Sequence, residues 1–292
     1  MTLPTPGIHS DIPFDVYADW DALNVSTLIK GRKSMAHCQV PWKERNEGMR
    51  KGVFGHGCFL QPIETMGQYA VMPDYANDPD NVRADGSKPD KPASTGWYKK
   101  KAAEFAATNS GREVVTQQWY DDMLGALKAV KAHPKASECL APGGQAEVSL
   151  VWTDAETGIL RKARLDYIRD AQKVLADLKF TDDVSRFERT IDRFGYHIRM
   201  ASYVDAWKVL TGVKLVPWLI AIEPHAPYGI RCGPIGGQTM ILGCREYQLL
   251  LNQYRSCIAT GVWSGYEDVD EWNLPGVGQD VDTYGLQIAE AS

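Results

Sequence analysis

Residues 146–180 read AEVSLVWTDAETGILRKARLDYIRDAQKVLADLKF. Three runs rich in β-branched and apolar residues, Glu147–Trp152, Ile159–Ile168 and Lys173–Phe180, are separated by the turn-like segments TDAETG and RDAQ, which predicts three consecutive antiparallel strands. With the second turn centred between Ala171 and Gln172, residues whose numbers sum to 343 face each other. Asp166 and Asp177 then lie directly across the hairpin, with Cβ atoms about 5 Å apart. Lys179, two residues beyond Asp177, projects from the same face. The first hairpin, turning near Glu156 and Thr157, brings Glu147 close to Asp166. Three carboxylates and a lysine converge on one patch of sheet.

Directly opposed acids destabilise a strand pair. A divalent cation with oxygen ligands compensates them best. On spacing alone a plain surface ladder, with Lys179 bridging the acids, stays equally open, because a D…DxK pattern arises by chance in many hairpins. Lys162 and Arg164 alternate with Asp166 along the strand, so they are expected on its face and near any bound phosphate, whereas Arg161 points the other way.

Outward from this core, Asn24, Ser26 and Thr27 offer capping side chains for a helix starting near Leu28. Residues 75–96, with three prolines among Asp, Asn, Gly, Ser and Lys, read as an exposed, mobile loop. Helical patterns cover Trp97–Thr108 and Thr116–His133. After the three strands, Val184, Phe187, Ile191, Phe194, Ile198, Ala201 and Val204 recur every three or four residues, predicting one long amphipathic helix. An apolar strand over Val216–Glu223, a partner over Tyr228–Cys232 and a last helix over Gly243–Thr260 complete a sheet with helices against it.

The 292 residues are 44% hydrophobic and 24% charged, the values of a globular chain and not of a disordered, collagenous or coiled-coil one. Net charge is 32 minus 37, or -5, so any nucleic-acid contact has to come from local basic patches. No apolar run reaches the ~18 residues of a membrane span. The first residues carry neither a basic start nor an apolar core, so no signal peptide is expected, and the six cysteines, without a CxxC pair, read as reduced thiols. A cytoplasmic protein is expected.

Four segments together resemble a known family: GIHSDIPFDVYADWDALNVSTLI from Gly7, FGHGCFLQP at 54–62, and the stretches around Asp166 and Asp177-Leu178-Lys179. With CIATGVWSGY at 257–266, these look like the RecE-type phage and prophage exonucleases, in the RecB-like branch of the PD-(D/E)XK nuclease superfamily. The resemblance runs from about residue 7 to residue 268. It implies an α/β restriction-endonuclease-like core, with a central mixed sheet flanked by helices. The layout expected is a mostly helical amino-terminal part over 1–135, the catalytic core over 136–268 and an acidic tail over 269–292.

The resemblance also implies roles. His56, Asp166, Asp177 and the backbone carbonyl of Leu178 would hold one or two Mg²⁺, with Mn²⁺ able to substitute; Glu147 matches the acid of the first core strand and Lys179 the catalytic lysine. His56 read alone would be an ordinary helix-surface or buried histidine. Relatives carry Q-x-x-x-Y on the following helix, where this chain has Arg199 and Tyr203, at i and i+4 on one helix face. Arg199 cannot accept a hydrogen bond as glutamine does, but it suits a phosphate. Arg199, Tyr203, Arg50, Lys51 and Arg164 are the expected DNA contacts, within clusters that include Lys30, Arg32, Lys33, Lys43, Arg45 and Lys99–Lys101, with Trp42 and Trp97 as stacking candidates. The implied activity is 5′ to 3′ degradation of one strand of linear duplex DNA during recombination. The implied assembly is a homo-oligomeric ring that works on DNA ends beside a single-strand annealing protein. An endonuclease or flap nuclease using the same site, or a catalytically silent DNA-binding module, are the alternatives.

Overall fold

A computed structural model describes residues 4–41 and 46–268. In chain order the amino-terminal elements are β1 (Gly7–His9), α1 (Phe14–Ala18), β2 (Leu23–Asn24), α2 (Val25–Lys30), α3 (Glu47–Leu60) and α4 (Pro62–Gln68). Then come β3 (Tyr69–Met72), α5 (Gly96–Thr108), β4 (Glu113–Thr116), α6 (Gln117–Ala132) and α7 (Pro134–Cys139). The central hairpins are β5 (Gln145–Thr153), β6 (Leu160–Arg169) and β7 (Val174–Phe180). After them come α8 (Phe187–Arg193), α9 (Tyr196–Thr211), β8 (Val216–Ile222), β9 (Ile230–Pro234) and α10 (Gly237–Thr260).

The main sheet is mixed and runs β1-β5-β6-β7-β8-β9, with β2 pairing in parallel to β6; β3 and β4 form a separate parallel pair. The expected register holds: Tyr167 pairs with Ala176 and Ile168 with Leu175, both summing to 343. Along β7 and β8 the faces alternate as a pleat requires. Leu175, Leu219 and Ala221 join the core under α2, α9 and α10, while Ala176, Leu178, Ile220 and Ile222 pack with Ala126 and Val130 of α6 and Ala136 of α7. The fold is therefore an α/β sheet sandwiched between helices.

Two irregularities shape the middle of the sheet. Main-chain pairing of β6 with β7 ends at Tyr167, and β2 takes the same edge of β6 only from Lys162 to Arg161, so the strands fork beside Asp166. On β6, Ala163 and Leu165 face the α9 side but Tyr167 faces the α6 side, so the inward phase changes across Asp166. Across from that point Glu147 adopts φ 52, a left-handed conformation uncommon for a non-glycine residue.

Several expectations are corrected. The long helix over 184–204 is two helices, because Gly195 takes φ 63 and ends the first; its missing side chain also lets the turn approach Ile29, whose Cγ2 would be 3.1 Å from a Cβ there. The last strand begins at Ile230, after Tyr228 with φ 60. The 75–96 loop is pinned rather than loose: Asn81 is fully buried, its Nδ2 donates to the carbonyls of Tyr75, Ala76 and Pro92, and its Oδ1 accepts from Thr95. The amino-terminal region adds strands as well as helices, since β1 pairs with β5. The acidic tail lies outside the described residues.

Candidate active site

The site is built where α3 crosses the fork of the sheet. Asn46 caps α3 by accepting the Met49 N–H, and His56 lies in its third turn between Gly55 and Gly57. Both glycines are required by close packing. A Cβ on Gly55 would lie 2.6 Å from the Phe180 ring and 2.9 Å from Met123 Sδ, and one on Gly57 would overlap the Thr65 hydroxyl. The helix therefore lies flat on the end of β7, with the His56 ring edge-on to Phe180 at 5.8 Å.

That approach brings His56 Nδ1 to 3.4 Å from Asp166 Oδ2. One ligand atom each from His56, Glu147 and Asp166 lie within 4.8 Å of one another, and all three side chains are partly open to solvent. Asp166 Oδ2 also accepts the Leu178 N–H at 2.8 Å, closing the fork with a side chain where main-chain pairing has stopped. Glu147 is gripped by Arg164 Nε at 2.5 Å. Burial, then the Asp166 charge, push the Glu147 carboxyl above its usual range against the pull of Arg164.

Asp177 and Lys179 sit deeper. Both are buried and form an ion pair, and Lys179 Nζ also donates to the Leu178 carbonyl at 2.9 Å. Burial raises the Asp177 carboxyl, opposed by the Lys179 charge. Lys179 Nζ stands 5.3 Å from the Tyr196 ring centroid, at the start of α9. The structure thus gathers His56, Glu147 and Asp166 into one open cluster. Asp177, Leu178 and Lys179 are placed immediately behind it, with the Leu178 carbonyl engaged by the lysine.

The expected DNA contacts divide. Arg164 is turned inward: besides Glu147 it donates to the Ile12 carbonyl and Ser149 Oγ, so it is committed to the fold and not open to a phosphate. Lys162 is likewise corrected, its Nζ donating to the carbonyls of Tyr17, Ala18 and Trp20 at the end of α1. Tyr203 is buried, and Arg199 donates to Ser26 Oγ from a side chain enclosed by the protein, which overturns its reading as a phosphate clamp. The reason is common to all four: the helices packed on the sheet cover those faces. Arg50 and Lys51 stay near the surface on α3, upstream of His56, at 6.0 and 5.0 Å from the Trp119 ring centroid. Arg50 also pairs with Glu113 and Lys51 with Glu47. Arg32 is tied to Asp192 and Glu246. Lys99 and Lys100 are exposed on α5. Trp42, Lys43 and Arg45 lie outside the described residues.

Sequence reasoning missed Tyr196, which the cations of Lys179 and Arg199 both approach. It stands in the same apolar stripe as Ile198, so nothing in the spacing sets it apart. For Gly55 and Gly57 the signal was present, in the G-H-G triplet itself.

The donor set of two or three carboxylates, one imidazole and a backbone carbonyl fits a hard divalent cation better than a thiophilic one. The repulsion that raises Glu147 is the kind such a cation relieves.

The family model of a PDDEXK-like domain of unknown function (DUF3799) matches residues 32–273. Among solved structures, the chain is similar to one described as a putative exonuclease from Eubacterium rectale, with a TM-score of 0.56 and 12% identity over 95% of this chain and 100% of that one. At that identity the likeness is one of fold. No curated protein matches the chain in sequence.

Proposed function

The chain belongs to the PDDEXK-like family that matches it over 32–273, and from that membership we propose that it is a metal-dependent DNA nuclease, specifically an exonuclease of the RecE type. The observation that carries this reading is the convergence of His56, Glu147 and Asp166, within 4.8 Å of one another, directly in front of the Asp177–Lys179 pair. A bound Mg²⁺ or Mn²⁺ would neutralise the scissile phosphate and lower the pKa of a coordinated water.

His56, Asp166 and Asp177, with Glu147 and the Leu178 carbonyl, would hold the ion. Asp166 is fixed for this by the Leu178 N–H, and Glu147 by Arg164. Lys179 is held beside the carboxylates by Asp177 and the Leu178 carbonyl, so its ammonium is available to orient the attacking water, accept its proton in the neutral form and offset charge in the transition state. Arg50 and Lys51, on the same helix as His56, supply a local positive approach for the strand in a chain of net charge -5.

The finer reading is 5′ to 3′ digestion of one strand of linear duplex in phage-type recombination, in the bacterial cytoplasm, by a ring of identical subunits partnered by a single-strand annealing protein. Its support is the four-segment resemblance around Gly7, His56, Asp166 and Asp177-Leu178-Lys179. Among the described residues no helix is long and apolar enough to cross a membrane. The test is digestion of linear duplex labelled at the 5′ or the 3′ end, with Mg²⁺ or with EDTA, beside a closed circle. Early metal-dependent loss of 5′ label, with circles intact, is the expected result. Nicked or linearised circles would assign an endonuclease, and DNA binding without cleavage in Mg²⁺ or Mn²⁺ would assign a silent module.

A further inference from the structure

Arg199 leaves α9 into the protein interior, where it donates only one described hydrogen bond, to the neutral Ser26 Oγ at 3.3 Å, and its buried Nε has no hydrogen-bond partner. Its guanidinium lies 5.6 Å from the Tyr196 ring centroid, the ring that Lys179 Nζ approaches at 5.3 Å. A buried guanidinium without a bonded carboxylate is costly unless anions nearby supply a compensating field. Those anions are the site's own, because the charges of Asp177 and Asp166 act on Arg199.

The charges of the site then balance without an ion. Three carboxylates, Glu147, Asp166 and Asp177, face three fixed cations: Arg164 on Glu147, Lys179 on Asp177, and Arg199 behind them. We propose that Arg199 is a built-in counter-cation of the carboxylate site, which weakens the hold of the free protein on a divalent ion and makes ion uptake depend on the arrival of the substrate phosphate. A phosphate adds negative charge that the fixed cations do not already match, so ion and DNA each raise the affinity of the other by the same factor. The inference rests on the metal-site reading above and adds to it a coupling that Arg199 creates.

The experiment is Mn²⁺ titration followed by electron paramagnetic resonance, on the whole chain. It compares the natural protein, Arg199→Gln and Arg199→Lys, each alone and with a duplex whose terminal linkages are cleavage-resistant phosphorothioates. The natural protein is expected to bind Mn²⁺ on the order of tenfold tighter or more with the duplex than without it. Arg199→Gln is expected to bind Mn²⁺ tighter by a similar factor in the absence of DNA, with the duplex effect reduced, and Arg199→Lys to behave as the natural protein. The inference is overturned if the duplex leaves the natural protein's Mn²⁺ affinity unchanged, a comparison that needs no variant to fold. It is equally overturned if Arg199→Gln, folded by circular dichroism, binds Mn²⁺ no tighter than Arg199→Lys. Absence of Mn²⁺ uptake by all three proteins with DNA present would overturn the metal-site reading as well, and so separates the two failures.

Discussion

At the scale of single residues, Lys179 and Glu147 divide the work of the site in testable ways. Lys179 Nζ is held by Asp177 and the Leu178 carbonyl, at the carboxylates and away from Arg50 and Lys51. Lys179→Ala is therefore expected to abolish cleavage in a labelled-duplex assay while leaving duplex affinity, measured by fluorescence anisotropy, within about twofold; undiminished turnover would remove Lys179 from the mechanism. Glu147 and Asp177 both have carboxyl pKa values raised by burial, from ordinary values of 4.5 and 3.8. Each binds its proton more tightly folded than unfolded, so this contribution favours folding at low pH and is lost as pH rises from the unfolded value through the folded one. Thermal unfolding in EDTA at pH 4 and pH 7.5 should show the difference between Glu147→Gln and the natural protein moving in favour of the variant as pH rises. A difference that stays constant across that range would mean Glu147 is not held protonated by the fold. Arg199 shows how far composition can mislead. On a helix face at i and i+4 with Tyr203 it reads as a surface clamp, yet α9 turns that face onto the sheet.

At the scale of elements, α3 decides whether there is a site at all. Its glycines at 55 and 57 have no conformational task in mid-helix; they remove side chains where Phe180, Met123 and Thr65 press against the helix. Gly55→Ala must push α3 off β7 and carry His56 away from Asp166. The expected result is a loss of about 1–3 kcal/mol of stability, from overpacking, with weaker Mn²⁺ binding in the same protein. A variant of unchanged stability and Mn²⁺ affinity would show that the helix can shift without cost. The sheet contributes through its fork. Because β7 leaves β6 after Tyr167, Asp166 is free to accept the Leu178 N–H and face His56. A fully paired hairpin would have placed Asp166 and Asp177 as a plain cross-strand pair.

At the scale of the molecule, the first 24 residues are bound into the catalytic sheet. β1 extends it beside β5, β2 fills the edge of β6, and the carbonyls of Tyr17, Ala18 and Trp20 surround the buried Lys162 ammonium. Removing residues 1–22 would leave that ammonium unpaired and Arg164 without the Ile12 carbonyl. Stranding buried charge costs about 3–5 kcal/mol. The shortened chain is therefore expected to unfold at a markedly lower temperature in calorimetry and to be cut rapidly by trypsin. Retained stability would make this segment an accessory arm.

The hairpin register, the α/β class and the gathering of Glu147, Asp166, Asp177 and Lys179 were legible in residues 146–180, because strand periodicity and turn chemistry are local and a two-residue repeat leaves few alternatives. The helix limits at Thr108 and near Thr116 were legible for the same reason. What only the tertiary structure decided is which charged side chains are open to a substrate. Alternation along β6 grouped Lys162 and Arg164 with Asp166, but the inward phase changes across Asp166, and α1 and the 7–12 segment cover both basic groups. The conformation of Glu147 at φ 52, the break at Gly195 and the enclosure of Arg199 likewise come from packing between distant segments. A charge has the same identity on a solvated face and in a core; only the elements that close over it determine whether it meets a phosphate or another residue of its own chain.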